Sequence, residues 1–254
     1  FSGHTVGRAW LMPRLAANIS LLFAELPFLD RFAAARQAGF DGVEMLFPYD
    51  FAPDAIGEQL DLHGLTMVLQ NTPAPHWDAG DRGLAALPGR EAAFQNEFER
   101  CLRYAEVLKP KHIHVMAGVS AGPDARRTFV KNLRWAVAQA PDQSMTIEPI
   151  NSHDMPGYYL SGFDLALDIL GEVGADTLGL QFDAYHAHRI TGDAIAAWGR
   201  YGACATHVQV AGYPGRHEPT DGEIDYPAFF VRLDDDFYSG WVSAEYYPGQ
   251  PSTV

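Results

Sequence analysis

The amino-acid sequence predicts a single α/β domain built as a (β/α)8 TIM barrel, and three observations carry that expectation. Short β-rich runs alternate with helix-length amphipathic segments, as repeated βα units with parallel strands require. Eight such runs fit within 254 residues, a usual size for this architecture as one domain. No run is followed by a GxGxxG or GxxxxGK[ST] loop, so the main alternative, a doubly wound nucleotide-binding sheet, lacks its signature.

The elements follow in order. LAANISLLF (15–23) is the first expected strand and leads to a helix over 28–38, where Gly39 in AGF supplies a left-handed stop. GVEMLF (42–47) is the second strand, and the helix over 53–62 stops at Gly64 in HGL. TMVLQNT (66–72) is the third. It opens into a long segment, 73–88, with Trp77 and several glycines, expected to close over a substrate as a lid. A helix over 90–108 precedes HIHVMAG (112–118), and one over 124–138 precedes SMTIEPI (144–150). A helix over 162–170 leads to LGLQFDAYH (178–186), then ATHVQVAG (205–212), a helix over 226–233 and WVSAEYYP (241–248). The helical segments repeat their apolar residues at three and four.

The ends depart from this pattern. Residues 1–11, FSGHTVGRAWL, have neither an initiator Met nor the features of a signal peptide, and are expected to be an expression remnant before Met12-Pro13. The barrel domain is assigned to 12–254. No eighth helix follows the last strand, so the sequence is expected to be incomplete at that end.

Composition narrows the function. Thirty-two acids against 18 Lys and Arg give a net charge of −14, which repels a nucleic-acid backbone. No stretch approaches the roughly 20 apolar residues of a membrane span. Cys101 and Cys204 have no CxxC or CxxH setting, so they are expected to be inert core thiols in a reducing, cytoplasmic setting.

Against this background three acids stand out. Glu148, Asp183 and Glu245 interrupt apolar strands near their C-terminal ends, and Gln209 holds the comparable place on the intervening seventh strand. A closed barrel brings strand ends together on the face where active sites form. One such carboxylate alone reads as a cap or loop anchor; three on strands five, six and eight read as a site. Converging carboxylates repel and resist desolvation, so shared protons or a cation must compensate. Oxygen-rich ligands suit a hard divalent ion, Mg²⁺ or Mn²⁺. Glu148, Asp183, Gln209 and Glu245 are therefore the candidate metal ligands.

The motifs ANISLLF, AGFDGVE, NTPA with WDAGDRGLA, HVMAG, IEPIN, FDAYH, HVQVAGYPGRHEP with GEIDY, and EYYP resemble the hydroxypyruvate isomerases. These belong to the xylose-isomerase-like barrels that also include ketose 3-epimerases and endonuclease IV. The resemblance runs from Ala16 to Pro248. It implies isomerisation of hydroxypyruvate to tartronate semialdehyde, with Glu148 and Glu245 as the acid/base pair, and a place in glyoxylate and carbohydrate metabolism. The residue chemistry agrees: moving a carbonyl between adjacent carbons needs one proton taken and one returned through an enediol, which two carboxyls can do.

The resemblance also implies that His186 contacts a substrate oxygen; the plainer alternative is a histidine orienting Asp183. Arg216 and His217, in the Gly- and Pro-rich loop after the seventh strand, are expected to meet an anionic substrate, Arg216 by gripping its carboxylate. Asn71 is expected in the pocket. Glu44 and His114 are weighed evenly between pocket and structure, and His188 is read as exposed. The 3-epimerases usually present His where Gln209 stands, which weakens an epimerase reading and a tightly held metal alike. Isomerisation of a related 2-oxo acid such as 2-oxo-tetronate, and ketose 3-epimerisation, stay open, as does homo-oligomerisation. The expected partner is a small anionic hydroxy or oxo acid.

Overall fold

In the computed structural model, eight parallel strands close into a barrel in sequence order. They are β1 (Arg14–Asn18), β2 (Gly42–Met45), β3 (Thr66–Asn71), β4 (His112–His114), β5 (Met145–Ile147), β6 (Leu178–Asp183), β7 (Ala205–Val210) and β8 (Trp241–Ala244). The ring closes where β1 pairs with β8, Ala16 opposite Ser243. The structure describes residues 13–220 and 222–250. The segment read as an expression remnant, 1–11, lies outside them.

The helices are α1 (Arg31–Gln37), α2 (Pro53–His63), α3 (Glu91–Leu108), α4 (Gly122–Gln139), α5 (Phe163–Val173), α6 (Ala184–Thr191), α7 (Ala194–Tyr201) and α8 (Tyr226–Asp235). Strand alternation explains how they sit. Residues of one parity face outward and pack on the helix ring: Phe182 of β6 lies against Phe163, Trp198 and Phe229 of α5, α7 and α8, with ring centroids 5.2–6.1 Å apart. Residues of the other parity face the axis, where Thr146, Gln181, His207, Gln209 and Ser243 are all buried. The barrel interior is thus a packed polar stack under the strand ends.

Three expectations need correction. LGLQFDAYH is not strand to its end: β6 stops at Asp183, whose carboxylate accepts the Tyr185 N–H at 2.8 Å and so caps α6. His186 consequently sits on a helix. A second short helix, α7, follows Gly192, with the Asp193 carboxylate accepting from Ile195 N and Ala196 N; neither was expected, because both span only eight residues. The fourth strand is likewise shorter than its apolar run. Beyond His114 the chain pairs with the 73–88 segment instead, Gly83 bridging Ala117 and the Ala86 N–H donating to Ala117 O at 2.7 Å. Cys101 is buried, its thiol pushed up to about 11 by burial, whereas Cys204 is exposed and is no core thiol.

Candidate active site

The strand ends surround a cavity of about 430 Å³. Glu148, immediately after β5, and Glu245, immediately after β8, both line it, together with Asn71, His114, Gln181, His186, Trp77, Arg82 and Arg216. Both glutamates are almost fully buried. Burial pushes the Glu148 carboxyl well above the usual carboxylate range, and Glu245 and Asp183 add repulsion that Arg216 only partly offsets. Glu245 is pushed up to about 8, again by burial first, against the pull of Arg216. Glu148 Oε1 is buried with no hydrogen-bond partner among the described residues.

Beneath them, a chain of side-chain hydrogen bonds runs through the barrel. Gln181 Nε2 donates both to Glu148 Oε2 at 3.1 Å and to Gln209 Oε1 at 2.8 Å. Gln209 Nε2 donates to Glu44 Oε1 at 2.7 Å. Asn18 Nδ2 donates to the same Glu44 oxygen at 3.2 Å and to Glu245 Oε1 at 2.9 Å. Glu44 Oε2 lies 2.8 Å from His207 Nε2. The two pocket glutamates are therefore joined through Glu44.

Arg216 bridges two acids: Nη2 donates to Glu245 Oε2 at 2.7 Å and to Asp183 Oδ2 at 3.2 Å. Although burial opposes the charged form, Glu245, Asp183 and Glu148 raise its pKa above the ordinary arginine value. Its left-handed backbone, φ 56°, is held by the Tyr247 N–H on its carbonyl. Arg216 is thus engaged by two protein carboxylates through Nη2, while its Nε is buried with no hydrogen-bond partner among the described residues.

His186 has a fixed tautomer. Its Nδ1 lies 2.7 Å from Asn151 Nδ2, and the orientation of that amide follows from Asn151 Oδ1, which accepts from the His153 and Asp154 backbone N–H groups. Nδ1 is then an acceptor, and the ring proton resides on Nε2, facing Asp183 Oδ2 at 3.7 Å and Glu148 Oε1 at 3.9 Å. Burial holds this imidazole well below its ordinary pKa, so it is neutral. In His114, burial and then His207 lower the pKa to about 3; its Nδ1 approaches Asn71 Oδ1 at 3.2 Å and its Nε2 has no partner among the described residues.

Glu148, Asp183 and His186 place ligand atoms within 4.8 Å of one another, a buried group able to hold a metal ion. The fit is best for the carboxylates. The orphaned Glu148 Oε1 would gain a partner, whereas His186 Nε2 carries a proton and would have to lose it. Asp183 and Gln209 do not line the cavity; the amide of Gln209 is engaged on both sides, by Gln181 and Glu44. His217 is exposed on the outer side of its loop, its Nδ1 2.8 Å from Tyr247 O, and is not brought to the cavity.

The sequence reading missed Asn18, Gln181, Asn151, Asp154 and Arg82. Gln181 was accessible from alternation, being two residues before Asp183 on one strand. Asn151 and Asp154 lie on irregular backbone after β5, where no period marks direction.

The profile of the family described as Xylose isomerase-like TIM barrel matches residues 32–253. A Cupriavidus necator protein named 2-oxo-tetronate isomerase is 48% identical over 93% of this chain and 94% of its own. An Escherichia coli (strain K12) protein named hydroxypyruvate isomerase is 39% identical over the same shares. A Brucella melitensis crystal structure described as an AP endonuclease of family 2 superposes with a TM-score of 0.92 at 41% identity, covering 95% of this chain and 96% of that one. The chain belongs to the xylose isomerase-like TIM barrel family.

Proposed function

We propose that this protein is an isomerase that interconverts hydroxypyruvate and tartronate semialdehyde through an enediol(ate), with Glu148 and Glu245 as the acid/base pair. One observation carries the proposal: two buried carboxyls line one small cavity, both with pKa values raised by burial, the condition for exchanging protons near neutral pH. One glutamate takes a proton from C3 and the other delivers one to C2, while the hydroxyl proton passes from O3 to O2; atoms and charge balance without a further reactant. His186, through its Nε2–H, donates to a substrate oxygen and favours its developing negative charge. Asn71 holds His114 in the cavity wall. Arg216 keeps Asp183 and Glu245 from repelling one another.

The carboxylates suit a divalent cation, Mg²⁺ or Mn²⁺, which Glu148 and Asp183 would hold with Glu245; the Gln209 carbonyl would first have to release Gln181 to join them. When bound it would supply electrostatic stabilisation of the enediolate. Its binding competes with Arg216 for Asp183 and Glu245.

A second substrate is favoured by the Cupriavidus relative: 2-oxo-tetronate, which undergoes the same chemistry. A nuclease role, as named for the Brucella protein, is opposed by the net charge of −14. No helix among the described residues is long and apolar enough to cross a membrane; placement in the cytoplasm rests on thiol usage. The test is ¹H NMR of hydroxypyruvate and of 2-oxo-tetronate with the enzyme in D₂O. Isomerisation with deuterium entering at the reacting carbons is expected; an unchanged spectrum with both acids would refute the proposal.

A further inference from the structure

Three arginines line the cavity, Arg82, Arg189 and Arg216, and two already face carboxylates. Arg216 bridges Asp183 and Glu245, and Arg189 Nε lies 3.9 Å from Asp154 Oδ1. Arg82 differs: among the described residues it forms no ion pair. Its Nη1 donates to the carbonyls of Trp77, at 2.9 Å, and Asp81, at 2.7 Å. Its guanidinium lies over the Trp77 ring, 4.1 Å from the centroid. One face and one corner of the group are therefore fixed by the protein, while Nε and Nη2 have no acceptor among the described residues. Those two nitrogens form the edge of a guanidinium that grips a carboxylate with parallel hydrogen bonds.

The backbone holds this edge in place. Arg82 precedes Gly83, which bridges Ala117 at φ 109°, where a Cβ would meet Met116 O at 2.4 Å. The segment expected to be a lid is thus tied to the loop after β4 at the residue following Arg82. A positively charged fork seated on an indole and anchored to the barrel needs little ordering on binding an anion. Stacking on Trp77 also spares the guanidinium part of its desolvation cost.

We propose that Arg82 is the carboxylate-binding residue of the site, selecting small 2-oxo and hydroxy acids over neutral ketoses. The proposal rests on the isomerase reading for the identity of the acid, but not for the binding of a carboxylate. Substrate then lies with its carboxylate on the 73–88 segment and its reacting carbons against Glu148 and Glu245.

The experiment measures KM and kcat for hydroxypyruvate, and the inhibition or dissociation constant of D-glycerate, an unreactive acid of the same length, in wild type, Arg82→Gln and Arg82→Lys. Dihydroxyacetone, which replaces the carboxylate by a hydroxymethyl group, serves as the neutral substrate. A carboxylate held equally in ground and transition states raises KM and leaves kcat largely alone. Arg82→Gln should raise KM and the D-glycerate constant together by about 10- to 100-fold, the scale of a hydrogen bond to a charged group. Arg82→Lys, which keeps the charge but not the fork, should fall between, and losses on dihydroxyacetone should be much smaller. Unmoved constants for both acids, or equal losses on acid and neutral substrates, would overturn the assignment; if Arg82→Gln does not fold, Arg82→Lys decides alone by the same comparison. Arg82-dependent D-glycerate binding without turnover of either 2-oxo acid would sink the isomerase reading and leave the subsite standing. Turnover indifferent to Arg82 would do the reverse.

Discussion

Replacing Glu44 tests whether the buried amide chain holds the two pocket glutamates in place. Glu44 Oε1 accepts from Gln209 and Asn18, and Oε2 faces His207 Nε2. In Glu44→Leu the Gln209 amide loses its acceptor, Asn18 keeps only Glu245, and His207 Nε2 is stranded. At about 1–3 kcal/mol for each buried polar group left without a partner, two or three such groups give a loss of about 3–5 kcal/mol. Gln209 is then free to turn its amide; Gln181 loses the oxygen that orients it, and Glu148 loses a donor. Glu44→Gln behaves differently. Its amide oxygen can occupy the Oε1 position and keep both donors, while its NH₂ faces His207, whose Nδ1 has no partner and can take the ring proton so that Nε2 accepts. The expected cost is about 1–2 kcal/mol. Chemical denaturation gives both stabilities, and the pH profile of kcat/KM reports the pocket glutamates. Glu44→Leu should shift that profile and Glu44→Gln should restore most of it. Equal stabilities with an unmoved profile in Glu44→Leu would refute the linkage.

Three further outcomes follow from the same geometry. Glu148→Gln and Glu245→Gln should fold normally and lower turnover by about a hundredfold or more, the scale of a lost general acid or base; normal turnover in either would remove it from the acid/base pair. Gly83→Ala should destabilise by about 2 kcal/mol or more, because its φ of 109° strains any side chain and the new Cβ would meet Met116, and a rise in KM for hydroxypyruvate should accompany it; an unchanged melting temperature would mean that the tie at Ala117 yields. His112, lowered to about 3 by burial, then His207 and Lys111, is neutral when folded. A depressed folded pKa contributes stability present above pH 6.5 and lost as pH falls toward 3, so His112→Gln should narrow the stability gap between pH 7 and pH 5 by about 2 kcal/mol. An identical gap in the variant would contradict it.

Much of the barrel was legible because its strands carry their own period. Apolar runs such as GVEM and LGLQF mark outward-facing positions, and the acids that break them mark the strand ends. Glu148 and Glu245 were found in this way, and both line the cavity. What escaped was set by tertiary partners. Asp183 is the last residue of β6, and only its side chain capping α6 shows that a helix begins directly after it, which places His186 on a helix. Arg216 follows a strand end as an anion-binding residue should, but only the folded loop reveals that its Nη2 already donates to two carboxylates. Arg82 lies in a segment without period, and nothing local indicates that Trp77 and two carbonyls leave one of its edges bare.

Electrostatics then divide the cavity into two kinds of work. Glu148, Asp183 and Glu245 share a partly buried counter-cation, Arg216, in a chain of net charge −14. Were all three ionised, each close pair would cost on the order of 4 kcal/mol even at an effective dielectric constant of 20. Burial relieves this by favouring protonation, which is why the Glu148 and Glu245 carboxyls rise while Arg216 stays charged. A protonated carboxyl beside an ionised one is an acid beside a base, so the burden of burying the trio prepares it for proton exchange. Arg216 already donates to two of the trio through Nη2. Among the described residues Arg82 is the cavity arginine that forms no ion pair, which is what makes it the proposed cation for a substrate carboxylate. A neutral ketose would still meet the proton-exchanging pair but would leave the Arg82 fork unfilled, and the difference between those two situations is the discrimination this site can exert.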